Sequence, residues 1–249
     1  MEELQMESSK NYGSFKIRRG CKDVWNAFMV RGAVYSPNDI PYCPTTAVSL
    51  PVSIVSYEEA KTIHRNAMHN GNTDYFVKAY IHFWMDDQKF DGKRKGIWTN
   101  PFEALEIIRH FDGIFTPDFS TNVDFPEPIK IYNTYRMRAF GKWIGSNDKG
   151  VINNIRWGSE ETWRYCWDGV PRNSIVAIGT VASGLKQLDN RPIFEQGVRE
   201  MIRVLNPHTI IVYGSANYDI FKEIREKGIY VKAFPSRMDV AFSGRECHE

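Results

Sequence analysis

The polar residues best suited to chemistry recur in short segments, each following an apolar run. TPDFS (116–120) carries Asp118 and Ser120, and VINNIRW (151–157) ends in Arg156 and Trp157. GTVASG (179–184) contributes Thr180 and Ser183, YGSAN (213–217) contributes Tyr213 and Ser215, and FPSR (234–237) ends in Ser236 and Arg237. A carboxylate such as Asp118 could act as a general base or hold a metal. It could equally close an Asx turn. With Arg156 facing it across one cleft, the pair would suit catalysis at a phosphate group. Asp86 and Asp87 could join Asp118 in a carboxylate cluster for Mg²⁺. No DxD or HxH spacing accompanies them, so no metal is assigned.

GTVASG could offer backbone N–H groups to an anion, but it lacks the Lys of a P-loop and the full GxGxxG pattern. A flexible turn is the alternative. Ser215 reads as a helix N-cap, at a helix start that could also take phosphate. Arg136, Arg138, Arg156 and Arg164 are interleaved with Tyr132, Tyr135, Trp143, Trp157 and Trp163. Such a mixture could stack on a base and grip phosphates. Alternatively, Arg136 and Arg138 form the outer face of a helix whose aromatics pack inward. The six His (64, 69, 82, 110, 208 and 248) do not cluster, and His208 at a strand start reads as structural. No GxSxG elbow, HExxH helix or Cys/His nucleophile pattern is present.

These segments owe their placement to the elements before and after them. SYEEAKTIHRNAMHN (56–70) opens with an S-x-x-E capping box, Ser56 to Glu59, and NG stops the helix. YFVKAYIHFWMDD (75–87) alternates as a strand ending at Asp86 and Asp87. The charged DDQKFDGKRKG that follows reads as a solvated turn. NPFEALEIIRHFDG has Asn100 as N-cap and Pro101 at the first helical position. Strand and helix then alternate: GIFTPDFS, a helix over 128–150, VINNIRW, a helix capped by Ser159, NSIVAIGTVA, a helix over 191–207, HTIIVYGS, ANYDIFKEIREKG and IYVKAFPS.

Runs such as SIVAI and TIIVY are continuously apolar, which marks strands covered on both faces. Five or six parallel strands joined by right-handed crossovers follow. The fold class is α/β, a parallel sheet of strand–helix repeats. It is either barrel-like, an incomplete β/α barrel, or doubly wound. The barrel is favoured, because no Gly-rich dinucleotide turn follows the first strand. Both arrangements collect ligands at the carboxyl ends of the strands, where the polar segments lie. Residues 1–20 read as a polar arm. Residues 21–249 form a single domain, with an irregular and helical lead-in (21–74), a β/α core (75–236) and a tail (237–249).

Composition narrows the class. At 249 residues, 42% hydrophobic and 25% charged, the chain can bury a sizeable core, and a formal charge of +2 calls for no polyanionic partner. The 7 Trp, 12 Tyr and 15 Phe suit packing and also base or sugar stacking. Cys21, Cys43, Cys166 and Cys247 have neither CxxC nor zinc-site spacing, so they read as free thiols of a reducing cytosol. The N-terminus has no apolar h-region, and no run approaches the ~20 apolar residues of a membrane span. A cytoplasmic protein without membrane association is expected.

IYNTYRMRAFGKWI, VINNIRWGSEETWRYCWDGVPRNSIVAIGTV and LNPHTIIVYGS resemble a bacterial, prophage and phage family known as a domain of unknown function, DUF4417. The resemblance covers approximately residues 80–235. It implies a bacterial or phage source, often a mobile element, and a bacterial host cytoplasm. It carries no activity, cofactor or catalytic residue with it. VINNIRW and GTVASG depart from the family's versions, where a Pro and a Cys or Gly appear.

Three functions remain open at this stage. The first is a phosphate- or nucleotide-handling protein with Asp118 and Arg156 as catalytic residues. Its ligand contacts would be drawn from Asp86, Ser120, Trp157, Thr180, Ser183, Tyr213 and Ser215. The second is an interaction protein acting on a host factor. The third is a nucleic-acid-binding accessory protein of a mobile element.

Overall fold

The computed structural model describes residues 25–237 apart from 182, 184, 186, 188 and 189. The expected arm, Cys21, Cys247, His248, the tail beyond Arg237, and Ala182 and Gly184 of GTVASG lie outside the described residues.

Among the described residues, seven strands form one sheet: β1 (Ile54–Ser56), β2 (Val77–His82), β3 (Phe111–Phe115), β4 (Gly150–Asn154), β5 (Ile175–Gly179), β6 (Thr209–Tyr213) and β7 (Tyr230–Phe234). Every neighbouring pair is parallel, and the spatial order is the chain order from β1 to β7. A doubly wound sheet would reverse its order at a switch point. None is present, so the sheet curls one way into a half-barrel.

The helices are α1 (Tyr57–His69), α2 (Asp87–Phe90), α3 (Pro101–Ile108), α4 (Glu127–Gly145), α5 (Arg191–Leu205) and α6 (Asp219–Glu226), with 3-10 turns at Ala27–Val30 and Glu160–Arg164.

The sheet has more strands than the sequence suggests, because Ile54, Val55 and Ser56 form a strand inside the Pro-rich lead-in. Three residues are too few to show a period. The aromatic run after β2 also ends its ladder at His82, and Asp87 begins a helix instead of ending a strand.

Strand side chains alternate between two environments. Tyr80, Phe115, Ile152, Ala177 and Ile211, one from each central strand, meet inside the curl together with Ile54, Ile175 and Phe234. The opposite faces (Ile81, Ile114 and Val151, then Val176, Ile178, Ile210 and Val212) lie beneath the helices in two further clusters. Both faces are thus buried, as the continuously apolar strands require. Two glycines make room for the lumen: a Cβ on Gly113 or Gly150 would overlap the Tyr80 ring or the neighbouring strand's backbone.

The capping box of α1 is present as read. Ser56 Oγ accepts from Glu59 N (3.2 Å), and Glu59 Oε2 accepts from Ser56 N (2.8 Å). Asn100 occupies the N-cap position of α3, but its side chain donates to the Arg94 carbonyl and caps nothing. Ser215 does not cap α6, which starts four residues later. Its hydroxyl accepts from Asn217 N (3.2 Å) in a local turn. Ser159 precedes a 3-10 turn and makes no capping bond.

Arg136 and Arg138 are not on an outer helix face. Arg138 is fully buried. Arg136 lies over Phe119 (3.8 Å) and Tyr132 (5.3 Å) and pairs with Asp91 at 2.5 Å. Cys43 and Cys166 are buried free thiols, and burial pushes the Cys43 thiol up to about 12. Among the described residues, no helix is long and apolar enough to cross a membrane.

Candidate functional site at the carboxyl ends of the strands

The site is built from continuations of the lumen-facing rows. On β4 the row runs Ile152, Asn154 and then, past the strand end, Arg156. On β2 it runs Tyr80, His82 and Trp84. On β6 it ends at Tyr213. Period two therefore delivers an amide, a guanidinium, an imidazole and two large rings to one mouth.

These groups are joined. Arg156 donates to Asp118 at 2.6 Å through one terminal nitrogen and to Asn122 Oδ1 at 3.1 Å through the other. Asn154 Nδ2 donates to the second Asp118 oxygen at 2.7 Å. The Asn154 Oδ1 in turn accepts from the Trp84 indole N–H at 3.0 Å. Trp84 stacks on Tyr213 with centroids 4.9 Å apart and planes 7° apart, and His82 lies 4.5 Å from Tyr213. Gly179 lets the indole lie flat against β5, since a Cβ there would come within 2.9 Å of Trp84 Cδ1.

A second layer holds this one. Asn154 N donates to Thr116 Oγ1 at 2.9 Å. The Arg138 guanidinium reaches three carbonyls, Asn154 (3.0 Å), Asp168 (3.0 Å) and Cys166 (3.1 Å), and so ties the end of β4 to the turn that follows the Glu160–Arg164 3-10 segment. Burial lowers its pKa to about 10, which leaves it charged at neutral pH.

The structure thus brings Asp118 and Arg156 into direct contact and links Tyr213 to them through Trp84 and Asn154. The other candidates lie in different surroundings. Asp86 is largely in solvent, 3.8 Å from Lys89. Ser120 is bound by Asp87, through its backbone N–H (3.1 Å) and its hydroxyl (2.8 Å). The carboxylate cluster imagined from Asp86, Asp87 and Asp118 does not form, and no group of three or more His, Cys, Asp or Glu with metal-site geometry occurs among the described residues. Trp157 packs against Phe194 and Trp167, over Gly197 of α5. The Thr180 hydroxyl is taken up by the Tyr213 and Ser215 carbonyls, and the Ser183 hydroxyl by the Thr180 carbonyl.

Reading the sequence for strand ends missed Asn154, Trp84 and His82. The period-two rows that end in Arg156 and Trp84 were the available signal.

A second group lies where β7 approaches β1. Arg237 donates to Ser56 Oγ at 2.5 Å and sits 3.3 Å from Glu59 and 3.5 Å from Glu58. At the other end of the same seam, Lys232 Nζ donates to the Pro51 carbonyl at 2.6 Å. Side chains thus bridge the two edge strands. Two cavities lie away from both groups. One of about 710 Å³ opens between α4 and the segment before β1, against Trp25, Ile40, Ile131 and Tyr132. One of about 480 Å³ lies at the amino ends of the strands, beside Tyr80, Asp112 and Lys149.

Fold and mouth together define an incomplete β/α barrel with a braced arginine at the carboxyl ends of its strands. The chain belongs to the family described as Domain of unknown function (DUF4417), which matches residues 34–234 and so takes in β1 and much of the lead-in. It is similar to the Gene 1 protein of Mycobacterium phage L5, 30% identical over 162 residues, covering 63% of this chain and 69% of that protein. It is also similar to the Gene 1 protein of Mycobacterium phage D29, 28% identical over 159 residues and 64% of this chain. There it spans little more than half of the relative's length, 56%. No solved structure matches the chain.

Proposed function

We propose that the mouth of the half-barrel binds a phosphorylated ligand, a nucleotide being the class that suits it best, with Arg156 as the anion contact. The observation that carries this reading is the state of Arg156. Its side chain is 28% exposed, yet two of its nitrogens are fixed by Asp118 and Asn122. A guanidinium has five N–H donors, so several remain for an incoming oxyanion. Holding the fork in advance removes the entropy that a free arginine would lose on binding. Asp118 is then the brace that orients Arg156, and Asn154 and Trp84 are the brace of Asp118. The neighbouring rings, Trp84 and Tyr213, offer the apolar surroundings in which a charge-assisted hydrogen bond is strongest.

Thermal denaturation with ATP, GTP and inorganic phosphate, each with and without Mg²⁺, tests the reading. At a ligand concentration ~100-fold above Kd, binding stabilises by about 2.7 kcal/mol. That corresponds to a rise in Tm of roughly 5–10 °C for a chain of this size. Arg156→Ala is expected to lose most of the rise, and Asp118→Asn part of it. A flat response to every nucleotide, or a rise that survives Arg156→Ala, would count against the proposal.

A further inference from the structure

The seam between β7 and β1 contains a buried polar atom that none of the described residues satisfies. His82 is 4% exposed, and its Nδ1 has no hydrogen-bond partner among the described residues. A buried donor or acceptor left in this state costs about 1–3 kcal/mol. The ladder between β1 and β2 pairs His82 directly with Ser56, so both side chains lie on the same face of the sheet. Ser56 is also the N-cap of the 13-residue helix α1. His82 therefore sits beside the amino end of that helix, within electrostatic reach of Glu59 and Arg237.

The amino end of a helix is a place for an anion, because unpaired N–H groups and the helix dipole converge there. In this protein an anion is already present. The Glu59 carboxylate accepts from Ser56 N at 2.8 Å and from Ser56 Oγ at 2.7 Å, and Arg237 stands over it at 3.3 Å. Burial works against its charge, yet the Ser56 hydrogen bonds and the Arg237 guanidinium hold it below the usual carboxylate range. Glu59 does not satisfy His82. A tetrahedral oxyanion has one more face than a carboxylate and could accept from Ser56, Arg237 and the His82 Nδ1–H together. In β/α barrels generally, phosphate sites are built from the last strand ends and a helix amino terminus. Here the end of β7 and the start of α1 supply those two parts.

We propose that this seam is a second anion site, separate from Arg156, in which Glu59 occupies the place of a ligand phosphate and Ser56, His82 and Arg237 are the phosphate's contacts. Swinging Glu59 out leaves Arg237 and the helix end with uncompensated positive charge, which the phosphate then meets.

The test is phosphate binding by calorimetry in the Arg156→Ala background, which removes the first site and keeps the two proposals distinguishable. Adding Glu59→Gln should tighten binding of inorganic phosphate at least tenfold, because the competing charge is gone. Adding Arg237→Ala to that variant should reverse the gain. Should Glu59→Gln fail to fold, histidine side-chain NMR of the Arg156→Ala protein gives the same answer: phosphate should shift the His82 ring resonances and leave those of His208 in place. Affinity unchanged by Glu59→Gln, a gain that survives Arg237→Ala, or His82 resonances indifferent to phosphate would each overturn the proposal.

Discussion

Replacing Arg138 with alanine is expected to destabilise the protein by about 3–5 kcal/mol, the range found when one member of a buried charged interaction is removed. Tm should fall by roughly 10 °C or more. The side chain is fully buried and, among the described residues, meets no carboxylate in hydrogen-bonding range. Its three acceptors are the main-chain carbonyls of Asn154, Cys166 and Asp168. Deleting the guanidinium takes a donor from each carbonyl, leaving that of Asn154 only the 3.5 Å contact from the Thr116 hydroxyl, and opens a cavity beside Cys43, and both terms have the same sign. Arg138→Lys should recover only part of the loss, because one ammonium cannot reach carbonyls on three sides at once. Denaturant titration of the three proteins is the check. A change below about 1 kcal/mol for alanine would mean that water replaces the guanidinium at little cost. The effect should also reach the mouth, because the Asn154 carbonyl held by Arg138 belongs to the residue whose side chain positions Asp118.

Arg138 also shows where the sequence speaks and where it is misread. Its neighbourhood, IYNTYRMRAFGKWI, suggests a helix whose arginines face outward, because charged side chains usually do. On the helical wheel, however, Thr134, Met137, Arg138 and Gly141 lie at i, i+3, i+4 and i+7, and all four are buried. Arg136 falls on another side and finds Asp91 and an aromatic face. Spacing could have separated the two arginines; residue type could not.

The repeated strands from β2 to β7 were readable because each is a short apolar-rich run, continuous in β5 and β6 and alternating in β2, bounded by Gly, Pro or a charged turn. β1 was not, since its three residues carry no period and its evidence as a strand is the parallel ladder to β2. The mouth was half readable. Asp118 and Arg156 stand at strand ends, which the fold class alone marks. His82 and Asn154 are the last residues of β2 and β4 and Trp84 follows β2, and their importance arises only when the sheet curls and brings β2, β4 and β6 around one opening. That curl depends on Gly113, Gly150 and Gly179, whose missing side chains leave space for Tyr80 and Trp84. An isolated strand gives no reason for those glycines.

His82 carries the second large prediction, on stability against pH. Burial lowers its pKa from 6.5 to about 4, the nearby Glu59 carboxylate opposing that shift and the Arg237 guanidinium adding to it. The Tyr213 ring (4.5 Å) and the Trp84 ring (5.3 Å) lie against the imidazole, and Glu58 pairs with Arg237. A histidine with a depressed folded-state pKa is neutral in the native protein while the unfolded chain takes up a proton. Its contribution is therefore unchanged above pH ~7 and is lost as pH falls from 6.5 towards 4. The full loss is about 3 kcal/mol, one pKa unit being ~1.4 kcal/mol. Exposed carboxylates titrate partly in the same window, so the measurement is a difference. His82→Phe keeps a ring against Tyr213 and removes the titration. In urea unfolding at pH 7.5, 6, 5 and 4, the stability of His82→Phe relative to the native protein should rise steadily below pH 6.5, by about 3 kcal/mol in all. A constant difference across the series would show that the imidazole reaches solvent or a partner in the folded state. Phosphate bound at the seam would oppose this shift, because an anion beside the ring favours its protonated form. The acid loss should then become smaller in phosphate than in a chloride buffer of equal ionic strength.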